Sequence, residues 1–258
     1  MNRQTVEAGG GVAIDTTVEG DGPALVVVPS YGRDCGRDFD DFTRRAVAAG
    51  FTVLRPQPRG IAGSRGPTSG VSMHDLAADV AAVIRKLAAG PVVLVGHAFG
   101  NMLSRMVATD HPALVKAVVL AAAQASEVPP DIEAAPLIAG NPAAPEAERL
   151  EALRKAFFAP GHDPSAWLTG WYPETLQMEV AAGKTVPVAE YEACGDVPLL
   201  ELIPACDPFK AKPFWHELRE RYPGRVTSVV IEDAGHALFP EQPGAVADAV
   251  LPWLALHR

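Results

Sequence analysis

Cysteine is scarce. Only Cys35, Cys194 and Cys206 occur among 258 residues. An odd number at wide spacing argues against a disulfide framework and fits no zinc pattern. The seven histidines (His74, His97, His111, His162, His216, His236 and His257) show no paired ligand spacing, so no metal site is expected. Long apolar runs are also missing. The longest, L-V-V-V, V-V-L-V and A-V-V-L-A-A-A, fall far short of the ~20 residues that cross a bilayer. The opening M-N-R-Q-T-V-E-A-G-G-G lacks the apolar stretch of a secretory leader, so a soluble cytoplasmic protein is the expectation. Basic clusters are absent as well. With 22 Lys+Arg against 31 Asp+Glu the net charge is -9. That sign repels phosphate backbones and anionic membrane surfaces, so neither is an expected partner. No glycine-rich phosphate loop occurs, because Gly9–Gly11 precedes an edge strand and reads as a turn. No cofactor is expected, and the expected partner is a small-molecule substrate or ligand.

What is present is a rhythm. Hydrophobic residues make up 48% of the chain, ample for one core. Short apolar runs occur at Ala24–Val28, Phe51–Leu54, Val92–Val95, Val115–Ala121, Leu199–Pro204 and Val226–Ile231, and most lack polar alternation. Such runs suit parallel strands covered on both faces. Helical patterns lie between them, at Ser72–Ala89, Asn101–Asp110, Pro213–Tyr222 and Ala245–Leu256. The first of these opens S-M-H-D, a capping box. Strand alternating with helix predicts an α/β fold with a mostly parallel sheet. The Gly11–Val18 segment is expected to form antiparallel edge strands. Residues 124–195 break the rhythm. They offer helices near Glu146–Phe158 and Thr175–Gly183 but no good sheet strand, and read as a helical insert. The expected division is a core of residues 1–123 and 196–258 with this insert as a lid.

One further absence is a single hydroxyl. V-V-L-V-G-H-A-F-G-N, Val92 to Asn101, has the frame of a nucleophile elbow, a strand entering a Gly-x-nucleophile-x-Gly turn before a helix. Alanine, Ala98, holds the central place. The remaining motifs follow in order. P-S-Y-G-R comes after the strand Ala24–Val28, and P-Q-P-R-G-I-A-G-S runs from Pro56 to Ser64. P-A-C-D-P-F spans Pro204 to Phe209, and D-A-G-H-A-L-F-P-E-Q-P spans Asp233 to Pro243. Together they resemble the α/β-hydrolase fold superfamily over nearly the whole chain.

The resemblance implies a mostly parallel central sheet flanked by helices, with the insert as a helical cap. It implies His236 as general base and Asp207 as the acid that orients it. Asp196 and Asp233 are rivals for the acid, one preceding its strand and the other too near the histidine. The backbone N–H groups of Phe99 and Tyr31 would form the oxyanion hole. His97, Trp167, Trp171 and Tyr172 are candidates to line the substrate pocket, each with a plain packing role as the alternative. A methyl group cannot form an acyl-enzyme, so the usual two-step ester hydrolysis cannot pass through Ala98.

A serine replaced by alanine would explain the otherwise intact constellation. A native alanine fits two further departures from the family pattern, Pro29-Ser30 in place of His-Gly and Gln57 in place of Asp. Ser30 or Cys35 could supply a substitute nucleophile. Three functions stay open. The first is hydrolysis of a small, partly apolar ester or lactone. The second is serine-independent chemistry, lyase-type or water-activating, on the His236–Asp207 pair. The third is ligand binding without turnover.

Overall fold

The computed structural model describes residues 2–257. Eight strands form one sheet in the order β1-β2-β4-β3-β5-β6-β7-β8. They are β1 (Asn2–Gly9), β2 (Val12–Glu19), β3 (Ala24–Val28), β4 (Thr52–Pro56), β5 (Val92–His97), β6 (Val115–Ala121), β7 (Leu199–Pro204) and β8 (Val226–Ile231). β1 pairs antiparallel with β2, and β2 antiparallel with β4. Every other pairing is parallel.

Five of the six apolar runs identified in the sequence fall on the inner strands, and the sixth, Val226–Ile231, is the edge strand β8. β5, β6 and β7 are buried almost throughout. Alternate residues feed two separate apolar layers. Val26, Leu54, Leu94 and Val118 meet α2 (Met73–Leu87) and α3 (Phe99–Asp110) on one face. Leu25, Val27, Val53, Val93 and Val119 meet α1 (Asp40–Ala48) and the C-terminal helix Pro243–Ala255 on the other. The capping box is present, with the Ser72 hydroxyl accepting from Asp75 N–H and the Asp75 carboxylate accepting from Ser72 N–H.

The N-terminal edge differs from expectation. β2 lies inside the sheet, and β1 is the edge. Most of β1 is exposed, so it carries no apolar pattern to betray it. The expected helix at Pro213–Tyr222 is two pieces, a 3-10 turn at Lys212–Phe214 and a short helix at Glu217–Arg221. Trp215 stands at the break, its indole N–H turned back to the Lys210 carbonyl at 3.0 Å.

Between β6 and β7 the chain adds helices and no sheet strand. In order they are α4 (Pro130–Glu133), α5 (Ala135–Ala139), α6 (Glu146–Ala156), α7 (Pro173–Ala182) and α8 (Val188–Tyr191). This segment has its own apolar cluster, including Leu153, Phe157, Phe158 and Trp167. Phe209 and Ala237, from loops after β7 and β8, complete that cluster. The helical segment is therefore seated on the C-terminal ends of the strands, where open α/β sheets hold their ligands.

Candidate active site

The elbow is built by close main-chain approach. Ala98 has φ 51° and ψ −112°, a backbone state that costs a non-glycine residue roughly 1–2 kcal/mol. Its flanking glycines are there for space. A Cβ on Gly96 would sit 2.2 Å from the Gly100 carbonyl oxygen, and one on Gly100 would sit 2.1 Å from that of Val28. The turn is tied by Ala98 N–H to the Ala121 carbonyl at 3.0 Å and by Asn101 N–H to the Ala98 carbonyl at 2.9 Å.

Asp207 follows β7 and His236 follows β8. His236 Nδ1 lies 2.9 Å from Asp207 Oδ2, and both residues are buried. The other Asp207 oxygen accepts the Phe209 N–H at 2.9 Å, which fixes the carboxylate. A carboxylate on Nδ1 selects the tautomer whose Nε2 is a free base. The imidazole is held between rings, with Phe209 at 4.2 Å and Phe157 at 5.6 Å between centroids. The backbone is held too. His97 Nε2–H donates to the His236 carbonyl at 2.7 Å. Burial, with the charge of His236 as a lesser cause, pushes the His97 pKa down to about 3. His97 is thus a neutral donor beneath the site.

Glu241 fastens the histidine loop from the other side. Its two oxygens accept the N–H groups of Gly235 and Ala159, both at 2.7 Å, joining that loop to the end of α6. Its place within the histidine motif was legible, but its partner Ala159 was not.

Tyr31 and Phe99 stack at 4.5 Å. Among the described residues neither backbone N–H has an acceptor. The loop carrying Tyr31 is clamped from α7, where buried Glu179 accepts the Gly32 N–H at 2.6 Å. Burial pushes the Glu179 carboxyl up to about 8, against the lesser pull of that hydrogen bond.

Above Ala98 opens a cavity of about 790 Å³. Ser30, Tyr31, Ala98, Phe99, Phe157 and His236 border it at the elbow, and Leu137 and Val188 border it further out. Those last two are large apolar side chains left 48% and 53% exposed. The size suits a small molecule.

Four sequence candidates stand outside this lining. His97 lies below, on the His236 carbonyl. Trp167, only 1% exposed, lies against Arg33, whose guanidinium sits 4.2 Å from the indole centroid. Trp171 borders the same guanidinium at 5.3 Å and donates to the Trp167 carbonyl. Tyr172 reaches Asp34 at 3.4 Å. The cause is Arg33. A buried cation needs partners, and it takes Asp38 at 2.9 Å, the Thr169 carbonyl and two indole faces. The aromatic cluster therefore binds the loop after β3 to the helical segment.

Of the two substitute nucleophiles, Ser30 borders the cavity. Cys35 is buried in the apolar layer with α1, its thiol against the Val27 carbonyl, and burial pushes its pKa up. Gln57 accepts the Cys35 N–H at 2.9 Å. Residues that sequence reasoning passed over include Met102 and Arg105, which border the cavity from α3. They follow Ala98 at four and seven residues, a helical spacing that places them on its face. Nothing in the sequence says that this face turns toward the cavity. Among the described residues, no group of three or more His, Cys, Asp or Glu could hold a metal ion, and no helix is long and apolar enough to cross a membrane.

Residues 25–249 match the Alpha/beta hydrolase family. The chain belongs to that family. The fold is similar to a thermophilic esterase from Thermogutta terrifontis, with a TM-score of 0.81 at 20% identity over 100% of both chains. Two curated relatives match over shorter stretches. One is 2-(acetamidomethylene)succinate hydrolase of Mesorhizobium japonicum, 41% identical over 27% of this chain and 25% of that protein. The other is pyrrolizixenacetamide deacetylase of Xenorhabdus hominickii, 28% identical over 46% of this chain and 44% of that protein. The matches thus span a quarter to under half of the curated relatives' length.

Proposed function

We propose that this protein hydrolyses a small, partly apolar ester or lactone, with His236 as general base and Asp207 holding its tautomer. The supporting observation is the 2.9 Å pairing of His236 Nδ1 with Asp207 Oδ2 on a residue that borders the cavity beside Ala98. Residues 124–195 act as the cap. With alanine at position 98 the attacking group is water. His236 Nε2 takes one proton as the water oxygen bonds to the carbonyl carbon. The carbonyl oxygen becomes the oxyanion and meets the N–H groups of Tyr31 and Phe99, donors worth roughly 3 kcal/mol each in such sites. The imidazolium then gives its proton to the leaving oxygen as the carbon–oxygen bond breaks. A serine at position 98 would instead carry the acyl group, with the same base and the same hole. The curated relatives' names, a hydrolase and a deacetylase, agree with acyl-group hydrolysis.

The test is a comparison of the chain with its Ala98→Ser variant on p-nitrophenyl esters and lactones, followed by fluorophosphonate labelling and mass spectrometry. Turnover and an adduct on the introduced serine are expected. Absence of both, with tight ligand binding retained, would replace this reading with that of a binding protein.

A further inference from the structure

The cavity has a second polar end. α3 runs away from the elbow, and Ala98, Asn101, Met102 and Arg105 all border the cavity. Arg105 is only 8% exposed. One of its nitrogens donates to the Glu192 carbonyl at 3.0 Å. Among the described residues no carboxylate forms an ion pair with it. The nearby Glu192 carboxylate is engaged by Arg221 and by the Tyr222 hydroxyl. Every other buried arginine or lysine differs in this respect. Arg33 has Asp38, Arg55 has Glu19 and Asp40, Arg59 has Asp79, and Lys210 has Glu201. A buried cation without an anion is costly, and a site that keeps one awaits a charged partner.

A second observation falls at the same end. Tyr191, at the close of α8, is 1% exposed and borders the cavity, and its hydroxyl has no hydrogen-bond partner. Buried hydroxyls without partners are rare, and each asks for an explanation. An arginine without a paired carboxylate and a hydroxyl without a partner, at one end of a cavity, are the elements of an anion site. The other charges bordering the cavity are two ion pairs, Glu192 with Arg221 and Glu217 with Lys210, and two exposed rim residues of opposite sign, Lys184 and Glu133.

We infer that Arg105 and Tyr191 bind a carboxylate on the substrate, so that the molecule acted upon is an acid carrying its ester or lactone carbonyl at the other end. This rests on the hydrolytic reading of the elbow for its reaction, though not for its binding. The geometry also sets a spacing. Seven residues of helix separate Arg105 from Ala98 by about 10 Å, and helical side chains lean back toward the N-terminus. The carboxylate and the reacting carbonyl would then stand about 5–8 Å apart, a spacer of roughly four to six bonds.

The test uses the chain as it stands, with alanine at position 98. Glutaric and adipic mono-anilides would be titrated calorimetrically beside their neutral methyl esters. The acids are expected to bind about ten-fold or more tighter, as a charge-assisted pair does. That preference should vanish in Arg105→Gln, persist in part in Arg105→Lys, and weaken about three-fold in Tyr191→Phe. Tyr191→Phe removes only an unpartnered hydroxyl, so it is expected to fold. Equal binding of acid and ester by the unaltered chain would overturn the inference, whatever the variants do. The two readings fail separately. If Ala98→Ser cleaves neutral esters while the acids show no preference, carboxylate recognition is wrong and hydrolysis stands. If the acids bind tightly and no ester is cleaved, recognition stands and hydrolysis is wrong.

Discussion

The two ends of the cavity are made differently. At the elbow end, main chain meets main chain. Gly96, Gly100 and Val28 interlock without room for one carbon atom, and the side chains of His97 and Glu241 bind backbone groups of the histidine loop. At the Arg105 end, side chains from α3 and α8 face a cavity with hydrogen-bonding capacity to spare. The lesson is a division of labour. Position is over-determined where bonds would be made and broken, and left open where a substrate would be recognised.

The sharpest way to break this comparison is through catalysis. In an Ala98→Ser background, His236→Ala is expected to lower kcat/KM at least about 10³-fold. Replacements that retain the elbow but alter the far end, such as Arg105→Gln, should raise KM for the acidic ester about ten-fold or more and leave kcat nearly unchanged. Measuring both parameters on one neutral and one acidic ester separates the two.

Stability comes next. Gly100→Ala forces a carbon onto the Val28 carbonyl and is expected to cost about 3 kcal/mol. Gly183→Ala, in the helical segment, meets its nearest atom, the Tyr31 hydroxyl oxygen, at 3.3 Å and is expected to stay within about 0.5 kcal/mol of the parent. Urea denaturation of the two would read the contrast directly.

The pH response distinguishes two buried groups that hold the site. Glu179 titrates at about 8 in the fold against 4.5 ordinarily. Its contribution is fully present below pH 4.5 and is lost as pH rises through 8. His97 titrates at about 3 against 6.5, so its contribution is present above 6.5 and lost as pH falls through 3. Glu179→Gln should therefore remove the alkaline loss alone. Relative to the parent it should gain up to about 4 kcal/mol between pH 5 and pH 8.5. An unchanged alkaline limb in thermal melts would show that Glu179 does not govern it.

The smallest effect concerns the aromatic residues. Trp171→Phe keeps an aromatic face for Arg33 and lies outside the cavity lining. KM on any substrate is expected to move less than about two-fold, with a loss of about 1 kcal/mol in stability. A large KM change with unaltered stability would return Trp171 to the pocket.

How much was legible divides along the same line. The bounds of β3, β6 and β7 coincide with apolar runs, because strands covered on both faces are largely apolar; β8 coincides as well, although it is an edge strand whose middle residues are not buried. Exposed β1 left no such trace. The motif order pointed to Asp207 and His236 through short local patterns. The aromatic residues misled because a tryptophan looks alike in sequence whether it lines a pocket or covers a buried arginine. Arg105 was silent for a related reason. A helix face has a period but no direction until its neighbours are known.

The sequence by itself determined the α/β alternation, the strained turn at Ala98 and the absence of a hydroxyl there. Each of these depends on residues within a few positions of one another, where steric rules and periodicity suffice. Only the tertiary structure decided that Glu179 reaches Gly32, that Trp167 covers Arg33, and that Arg105 and Tyr191 border one cavity. Those outcomes join parts of the chain dozens of residues apart, and they follow from how the helical segment settles on the sheet.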